Sequence, residues 1–449
     1  MKFYSIQKNS PLAGLREAVI NGLAPDGGLY MPTKIPRLPN DFFKKAETMS
    51  FQDIAFEASK KFFMPDIPED VLRVIINESF NFDIPLVQLD KQIHVLELFH
   101  GPTCAFKDFA ARFLARLFGF FSEQFQKEIT ILVATSGDTG SAVAKAFLDV
   151  KGIKVIILYP SGKISSLQEK QLTCMGKNIT ALEIQGTFDD CQKLVKQVFL
   201  DKELKEKMIL ASANSINIAR LLPQSFYYLY LCAQLNKKNN PIIVSVPSGN
   251  FGNLTAGIIA KRMGAPILKF VAATNCNNVI PEYLKTGNFK PRSSISTISN
   301  AMDVGNPSNF SRMLELYDSD VEKMRAEIYG IGFSDQDTRK AISNVFKKYN
   351  YIMDPHGAVA YLGLLDFMKN FPKSEGIFFE TAHPAKFSSE VEKAIGRSVP
   401  MPKRLKTYVR RKKQAVLLKN NFSKLKDFLL NKLQNKHKKY INKKLAKNT

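Results

Sequence analysis

The segment at residues 99–113 contains a lysine whose surroundings suit covalent chemistry. Its sequence is FHGPTCAFKDFAARF, and Lys107 stands among mainly apolar side chains. A lysine in apolar surroundings loses part of its preference for the charged form, and a neutral amine can attack an aldehyde. Schiff-base lysines need that property. Residue type alone nevertheless favours an ordinary lysine in the first turn of an amphipathic helix, because the chain is rich in lysine.

Two glycine-rich loops could bind anionic groups. ATSGDTGSA follows the apolar run 129–133, and PSGNFGN follows the run 242–246. A strand that ends in small residues and opens a helix presents unpaired backbone N–H groups, to which the helix dipole adds positive potential. Neither loop matches G-x-G-x-x-G, so a dinucleotide is not indicated. One such loop can be simple turn geometry, whereas two in one chain favour two anionic groups.

Each loop lies within a strand–helix–strand pattern. Residues 129–133 and 153–159 flank AVAKAFLDV, while residues 242–246 and 268–273 flank LTAGIIAKRMG, in which Gly264 is a predicted C-cap. Such units form parallel sheets covered by helices, and ligands bind at the carboxyl ends of the strands. The sequence therefore predicts an α/β fold with two open, mostly parallel, twisted sheets flanked by helices.

The chain divides into four predicted regions. Residues 1–90 are rich in proline and turn signals such as APDGGLYMP and are expected to wrap on the core. Residues 91–220 are predicted as a smaller α/β domain with Lys107 and the SGDTG loop. Residues 221–434 are predicted as a larger α/β domain with the GNFGN loop. Residues 435–449 are predicted to be a basic, disordered tail.

The charge of the chain is concentrated at its C-terminal end. The 449 residues carry a net charge of +23, which raises nucleic acid or an anionic membrane as partners. Residues 403–449 contain 17 basic side chains and one acidic side chain, and thus +16 of that charge. The body of the protein is only mildly basic. Because no nucleic-acid-binding motif accompanies the charge, nucleic acid is not expected as the primary partner.

Several classes of protein have no support in the sequence. P-loop, α/β-hydrolase and zincin motifs are absent, and the five scattered histidines are each interpreted as structural. Five scattered cysteines without a C-x-x-C pair argue against a disulfide framework or a cysteine metal site and for a reducing compartment. The N-terminus lacks a signal-peptide pattern, and no apolar run is long enough to span a membrane. We therefore expect a cytoplasmic protein without a metal or a membrane partner.

Eight segments together resemble one enzyme family. HGPTCAFKDF, ATSGDTGSAVAKAF, QGTFDDCQKLV, ANSINIARLLPQ, VSVPSGNFGNLTAG, ISNAMDVGNPSNF, DPHGAVAY and TAHPAKF occur in the order and near the spacing found in threonine synthases. The resemblance is to the bacterial and fungal branch and extends to about residue 399, more weakly to about 434. It implies a fold type II, tryptophan synthase β-like enzyme that uses pyridoxal 5'-phosphate to convert O-phospho-L-homoserine and water into L-threonine and phosphate. The alternative is a phospholyase on the same scaffold that releases a 2-oxo acid.

The resemblance also implies roles for individual residues. Lys107 would bind the cofactor covalently and move protons during catalysis, and Thr381 would place its hydroxyl at the pyridine nitrogen. The residues implied for the cofactor phosphate are Gly249, Asn250, Phe251, Gly252 and Asn253. The residues implied on the substrate side are Thr135, Ser136, Asp138, Thr139 and Arg220.

The C-terminal end carries an apolar pattern of its own. Leu418, Phe422, Leu425, Leu429 and Leu433 follow helical spacing and predict one helix face, between residues 415 and 433, packed on the domain. The segment from residue 435 onward has no counterpart in the family. A monomer is favoured over an obligate oligomer, as the resemblance suggests.

Overall fold

The computed structural model describes residues 1–123, 128–236 and 240–431. Three sheets are formed by strands β1 (Lys2–Ser5), β2 (Ala13–Gly14), β3 (Tyr30–Pro32), β4 (Leu86–Asp90), β5 (Ile93–Glu97), β6 (Ile129–Ala134), β7 (Ile153–Pro160), β8 (Ile179–Gln185), β9 (Ile209–Ser212), β10 (Ile242–Pro247), β11 (Ile267–Thr274), β12 (Ile328–Gly332), β13 (Glu375–Glu380) and β14 (Ala415–Lys419).

Helices cover both larger sheets. They are α1 (Leu15–Asn21), α2 (Phe42–Ala46), α3 (Phe51–Phe63), α4 (Glu69–Ser79), α5 (Lys107–Ser122), α6 (Asp138–Phe147), α7 (Ser166–Thr173), α8 (Phe188–Leu200), α9 (Lys202–Lys207), α10 (Ile218–Leu221), α11 (Phe226–Leu235), α12 (Gly252–Arg262), α13 (Val279–Thr286), α14 (Phe310–Leu316), α15 (Val321–Glu327), α16 (Asp335–Tyr349), α17 (Pro355–Met368), α18 (Ser388–Ile395) and α19 (Lys403–Val409). A further helix, α20, begins at residue 422 and is described as far as residue 431.

The two larger sheets are mostly parallel, as the sequence predicts. The six-stranded sheet has the order β12-β11-β10-β13-β5-β4, in which only the edge strand β4 is antiparallel. The five-stranded sheet has the order β14-β8-β7-β6-β9 and is parallel throughout. Strands β6, β10 and β13 are buried along their whole length. Helices on both faces explain why these strands appear in the sequence as continuous apolar runs.

Both predicted strand–helix–strand units are present, with helices that begin earlier than predicted. Helix α6 begins at Asp138 and α12 at Gly252, within the glycine-rich loops themselves. Glycine and small polar residues favour turns in isolation, but the last residues of each loop already form the first helical turn. The loops therefore place the N-termini of two helices directly after strands β6 and β10.

Strand pairing does not follow the predicted regional limits. Within residues 1–90, strands β1 to β3 form a small antiparallel sheet, whereas β4 belongs to the six-stranded sheet. Strand β5, predicted in the smaller domain, also pairs in the six-stranded sheet, and β14 joins the five-stranded sheet. The chain thus returns at its end to the sheet that contains β6, which local sequence patterns do not reveal.

The prediction of one continuous C-terminal helix is wrong at its start. Leu418 lies in strand β14, which pairs in parallel with β8. Leu425 and Leu429 are buried in α20 against the five-stranded sheet, and Phe422 packs beside them. The run AVLLK is compatible with both a helix and a strand, and its pairing with a strand that is distant in sequence makes it a strand. Leu433 and the predicted tail, residues 435–449, lie outside the described residues.

No helix in the described ranges is long and apolar enough to cross a bilayer.

Candidate active site

A cavity of about 670 Å³ lies at the carboxyl ends of strands β6, β10 and β13. Residues of both larger sheets line it, which is the position expected for a ligand in α/β folds. The residues of the predicted site that line this cavity are Lys107, Thr135, Ser136, Thr139, Arg220, Gly249, Asn250, Phe251, Gly252, Asn253 and Thr381. The predicted site residues that line the cavity come from five of the eight quoted segments, and residues of all eight segments contribute to its lining.

Lys107 is the first residue of α5, and its side chain is only partly exposed. Its Nζ lies 4.1 Å from the centroid of the Phe106 ring. Burial lowers the pKa of Lys107 to about 8; the charge of Asp138 opposes this shift, and those of Arg220 and Lys386 add to it. The apolar neighbours thus have the effect expected from the sequence. A larger fraction of this amine is therefore neutral near neutral pH than of an ordinary lysine, as a nucleophile or a base requires.

The GNFGN loop presents the N-terminus of α12 to the cavity. Phe251, the N-cap, has φ +58°, so the chain turns sharply at a residue other than glycine. A Cβ on Gly249 would lie 2.6 Å from Cα of Met302, so only glycine allows the loop to pack so closely. Asn250 fixes the loop further, because its Nδ2 donates to Ser215 Oγ and its Oδ1 accepts from the backbone N–H of Ser308.

Two buried donors in the cavity wall have no hydrogen-bond acceptor. The hydroxyls of Tyr227 and Tyr228 both lie 2.7 Å from Asn253 Oδ1, which orients the amide and leaves Nδ2 without a partner. Arg220 Nε is likewise buried without a partner, while its Nη1 donates to the carbonyl of Ala213. Buried unpaired donors are costly. Anionic oxygens would satisfy both, so these residues fit a phosphorylated cofactor and a phosphorylated substrate.

Thr381 follows β13 and is joined to the Lys107 segment through the backbone. Its carbonyl accepts the N–H of Phe106 at 2.9 Å, and Ala105 and Ala382 form an antiparallel bridge. The side chain is buried in the cavity wall. Thr381 and Lys107 are therefore fixed relative to each other, as two residues that contact one cofactor need to be.

The SGDTG loop divides into residues that face the cavity and one that does not. Ser136 and Thr139 line the cavity with Thr135, whose Oγ1 accepts the N–H groups of Gly137 and Gly140 at 2.9 and 2.8 Å. Asp138 is buried outside the cavity lining, and its Oδ1 lies 2.5 Å from Lys386 Nζ. The structure therefore places Asp138 in an ion pair behind the loop, which the sequence prediction did not anticipate.

Sequence reasoning did not assign two residues that shape the site. His356, from DPHGAVAY, lines the cavity; its Nε2 accepts the N–H of Ala301, and its Nδ1 lies 2.5 Å from Asp354 Oδ1. Lys386, from TAHPAKF, is the partner of Asp138. Both residues lie in segments that carry the family resemblance, so the sequence indicated the segments but not the contacts that these two side chains make. The described ranges contain no cluster of three or more side chains suited to holding a metal ion.

Comparison with known proteins places this site in a family. A family model described as pyridoxal-phosphate dependent enzyme matches residues 81–379, and models of the threonine synthase N terminus and C-terminal region match residues 2–80 and 358–429. The threonine synthase of Buchnera aphidicola is 43% identical over 96% of this chain and 100% of its own length. That of Escherichia coli is 42% identical over 90% and 94%.

Solved structures agree with the sequence matches. The crystal structure of Escherichia coli threonine synthase superimposes with a TM-score of 0.91 at 40% identity, covering 96% of this chain and 100% of that one. The PLP-bound threonine synthase from Brucella melitensis gives a TM-score of 0.89 at 34% identity, covering 96% and 98%. The predicted fold and family are thus confirmed, and this chain belongs to the threonine synthase family of pyridoxal-phosphate-dependent enzymes.

Proposed function

We propose that this protein converts O-phospho-L-homoserine and water into L-threonine and phosphate, with pyridoxal 5'-phosphate bound at Lys107. The observation that carries the proposal is the shared cavity, which is lined by a lysine of lowered pKa and by two residues with unsatisfied donors, Asn253 Nδ2 and Arg220 Nε. One amine and two anion-binding positions match a phosphorylated aldehyde cofactor together with a phosphorylated amino acid.

Each group of the cofactor has a suitable partner in the cavity. Lys107 Nζ would hold its aldehyde carbon, and the N-terminus of α12, with Gly249 to Asn253, would hold its phosphate. Thr381 would place its hydroxyl at the ring nitrogen. The cofactor supplies delocalisation of the negative charge that develops when a proton leaves the substrate. A hydroxyl partner, unlike a carboxylate, does not favour protonation of the ring nitrogen.

Lys107 is also the proposed acid–base group. When it is not bonded to the cofactor, its Nζ would take the proton from Cα of the substrate and return protons to later carbon centres. A pKa of about 8 leaves the amine able both to accept and to donate near neutral pH. Ser136 and Thr139 line the cavity and would orient the amino acid.

Arg220 is the proposed ligand of the substrate phosphate. The residue is 2% exposed, and burial lowers the pKa of its guanidinium to about 10, so it remains charged at neutral pH. A buried arginine binds phosphate more strongly than an exposed one, because little water competes with it. Phosphate departure from Cγ and water addition at Cβ would then follow within one enclosed site.

The test begins with the cofactor. Purified protein should show visible absorption that borohydride reduction abolishes while it fixes the cofactor covalently to Lys107, and Lys107→Ala should lose both that absorption and threonine formation. Lys145→Ala is the matched control, because Lys145 lies on the exposed face of α6. A wild-type protein that PLP does not colour would refute the assignment of Lys107.

Product analysis separates the two related activities. A phospholyase acting on the same substrate would release 2-oxobutyrate, ammonia and phosphate, whereas the proposed enzyme yields threonine and phosphate. Chromatography of the reaction mixture distinguishes them directly.

We further propose that the protein acts as a monomer in the cytoplasm. The free cysteines Cys104, Cys174, Cys191, Cys232 and Cys276 support a reducing compartment. The monomer is proposed from the resemblance to the bacterial and fungal branch of the family. Sedimentation of the active protein at assay concentration tests the second statement.

A further inference from the structure

One lysine near the cavity forms an ion pair in which both side chains are buried. The Lys386 side chain is fully buried, and Asp138 is almost so, with Nζ and Oδ1 2.5 Å apart. In the other lysine ion pairs of the described ranges, the lysine side chain is at least 19% exposed. A buried ion pair is costly to form and strongly destabilising to break. Its presence beside a reactive amine therefore calls for a function in the site.

The pair joins two sheets. Asp138 opens α6 after β6 of the five-stranded sheet, whereas Lys386 lies in the short 3₁₀ helix Pro384–Phe387 after β13 of the six-stranded sheet. Gln168 Nε2 donates to Asp138 Oδ1 at 2.9 Å and supports the anion. The ion pair thus fixes the SGDTG loop against the element that carries Thr381.

A hydrogen-bonded chain continues from Lys386 to the Lys107 segment. Lys386 Nζ also donates to the carbonyl of Thr103 at 3.2 Å. The N–H and Oγ1 of Thr103 both donate to the carboxylate of Asp108, each at 2.8 Å. Asp108 directly follows Lys107, so one connected network holds the loop that precedes the reactive lysine.

The two charges act on Lys107 in opposite directions. Burial has the largest effect on the pKa of the Lys107 amine and lowers it. Among the charged neighbours, Asp138 raises this pKa, whereas Arg220 and Lys386 lower it. Although burial acts to raise the pKa of Asp138, the charges of Lys386 and then Lys107 keep it below its ordinary value. Lys386 thus neutralises a carboxylate that would otherwise hold the Lys107 amine in its charged form.

We propose that Lys386 and Asp138 are positioning residues of the active site, whose ion pair holds the SGDTG loop against the Lys107 segment and balances the charge around the Lys107 nitrogen. The proposal rests on the proposed role of Lys107. It goes further by assigning a function to two residues that are not part of the cavity lining.

The test uses the PLP-loaded protein and three variants: Asp138→Asn, Lys386→Met and the double variant. The readout is the pH titration of the visible absorption, which reports the proton on the Lys107 nitrogen. Loss of Asp138 should move the midpoint down and loss of Lys386 should move it up, each by about one pH unit, the low end for a neighbouring charge. In the double variant the midpoint should return close to that of wild type, as in a double-mutant cycle.

Lys261→Met is the matched control, because this partly buried lysine pairs with Glu327 at the far end of α12. It should leave the midpoint unchanged. Single variants that shift the midpoint in the same direction, or not at all while still folded, would overturn the proposal. If Lys386→Met does not fold, Asp138→Asn decides, since it preserves the shape of the side chain. Wild-type protein without visible absorption would instead refute the proposed function.

Discussion

Replacing Lys107 by methionine should make the cofactor-free protein more stable near neutral pH. The ordinary pKa of a lysine is 10.5, and burial lowers that of Lys107 to about 8. Below pH 8 the folded protein must therefore hold a charged amine in a place that disfavours it. At about 1.4 kcal/mol per pKa unit, the difference corresponds to a cost of at most about 3.5 kcal/mol. Because Lys107 borders the cavity, we expect about 1–3 kcal/mol.

The sign of the effect gives a pH window. Between pH 8 and 10.5 the unfolded chain binds more protons at Lys107 than the folded one does, so the stability of the wild type should rise with pH. Above this window the lysine is neutral in both states, and its cost disappears. The advantage of Lys107→Met should therefore be largest at or below pH 8 and shrink towards pH 10.5.

Urea unfolding of the apoprotein at several pH values measures this difference. Fluorescence and circular dichroism should give coincident transitions, so that one free energy of unfolding applies. Lys145→Met, on the exposed face of α6, serves as the control and should show no such pH-dependent gain. A Lys107→Met apoprotein less stable than wild type at pH 7, or an advantage independent of pH, would refute the reasoning about burial of the amine.

Four further substitutions test other parts of the account. Gly249→Ala forces a Cβ to within 2.6 Å of Met302 Cα and should weaken PLP binding at least tenfold in absorption titrations, with about 1–3 kcal/mol lost in stability; unchanged binding would contradict the close packing. Asn253→Asp replaces the unpaired donor by an anion and should weaken PLP binding more than Gly249→Ala does. Retained affinity would show that Asn253 is not part of the phosphate site. Arg220→Gln should raise KM for O-phospho-L-homoserine by about tenfold or more while leaving the visible absorption of the bound cofactor unchanged, and an unchanged KM would exclude it as phosphate ligand. Leu425→Ala should cost about 2–5 kcal/mol in urea unfolding with little effect on KM, and a smaller cost would show that α20 contributes little to the core.

The sequence predicts those parts of the fold that depend on residues close together in the chain. Strands β6 and β10 are buried on both faces, so their apolar runs are visible without knowledge of the partners. The loops that follow them contain the residues needed for tight turns at helix N-termini, which is why the start of a helix after each strand could be predicted. Lys107 could be selected among many lysines only through the resemblance of whole segments, because burial is not visible in residue type.

The parts that the sequence did not predict depend on contacts between distant segments. Strand β14 is defined by its pairing with β8, although AVLLK alone fits a helix as well. The resemblance implies Asp138 on the substrate side, whereas in the structure its carboxylate forms an ion pair with Lys386 from a distant part of the sequence. Single-sequence patterns carry no information on such pairings, so the network behind Lys107 emerged only from the structure.

The central claim is tested most directly by following the oxygen atoms of the reaction. Protein supplied with PLP and O-phospho-L-homoserine in isotopically labelled water should form threonine and phosphate in equal amounts. The solvent label should appear in the threonine hydroxyl and be absent from phosphate, because water adds at Cβ after the Cγ–O bond breaks. Labelled phosphate accompanied by homoserine, or 2-oxobutyrate in place of threonine, would contradict the account.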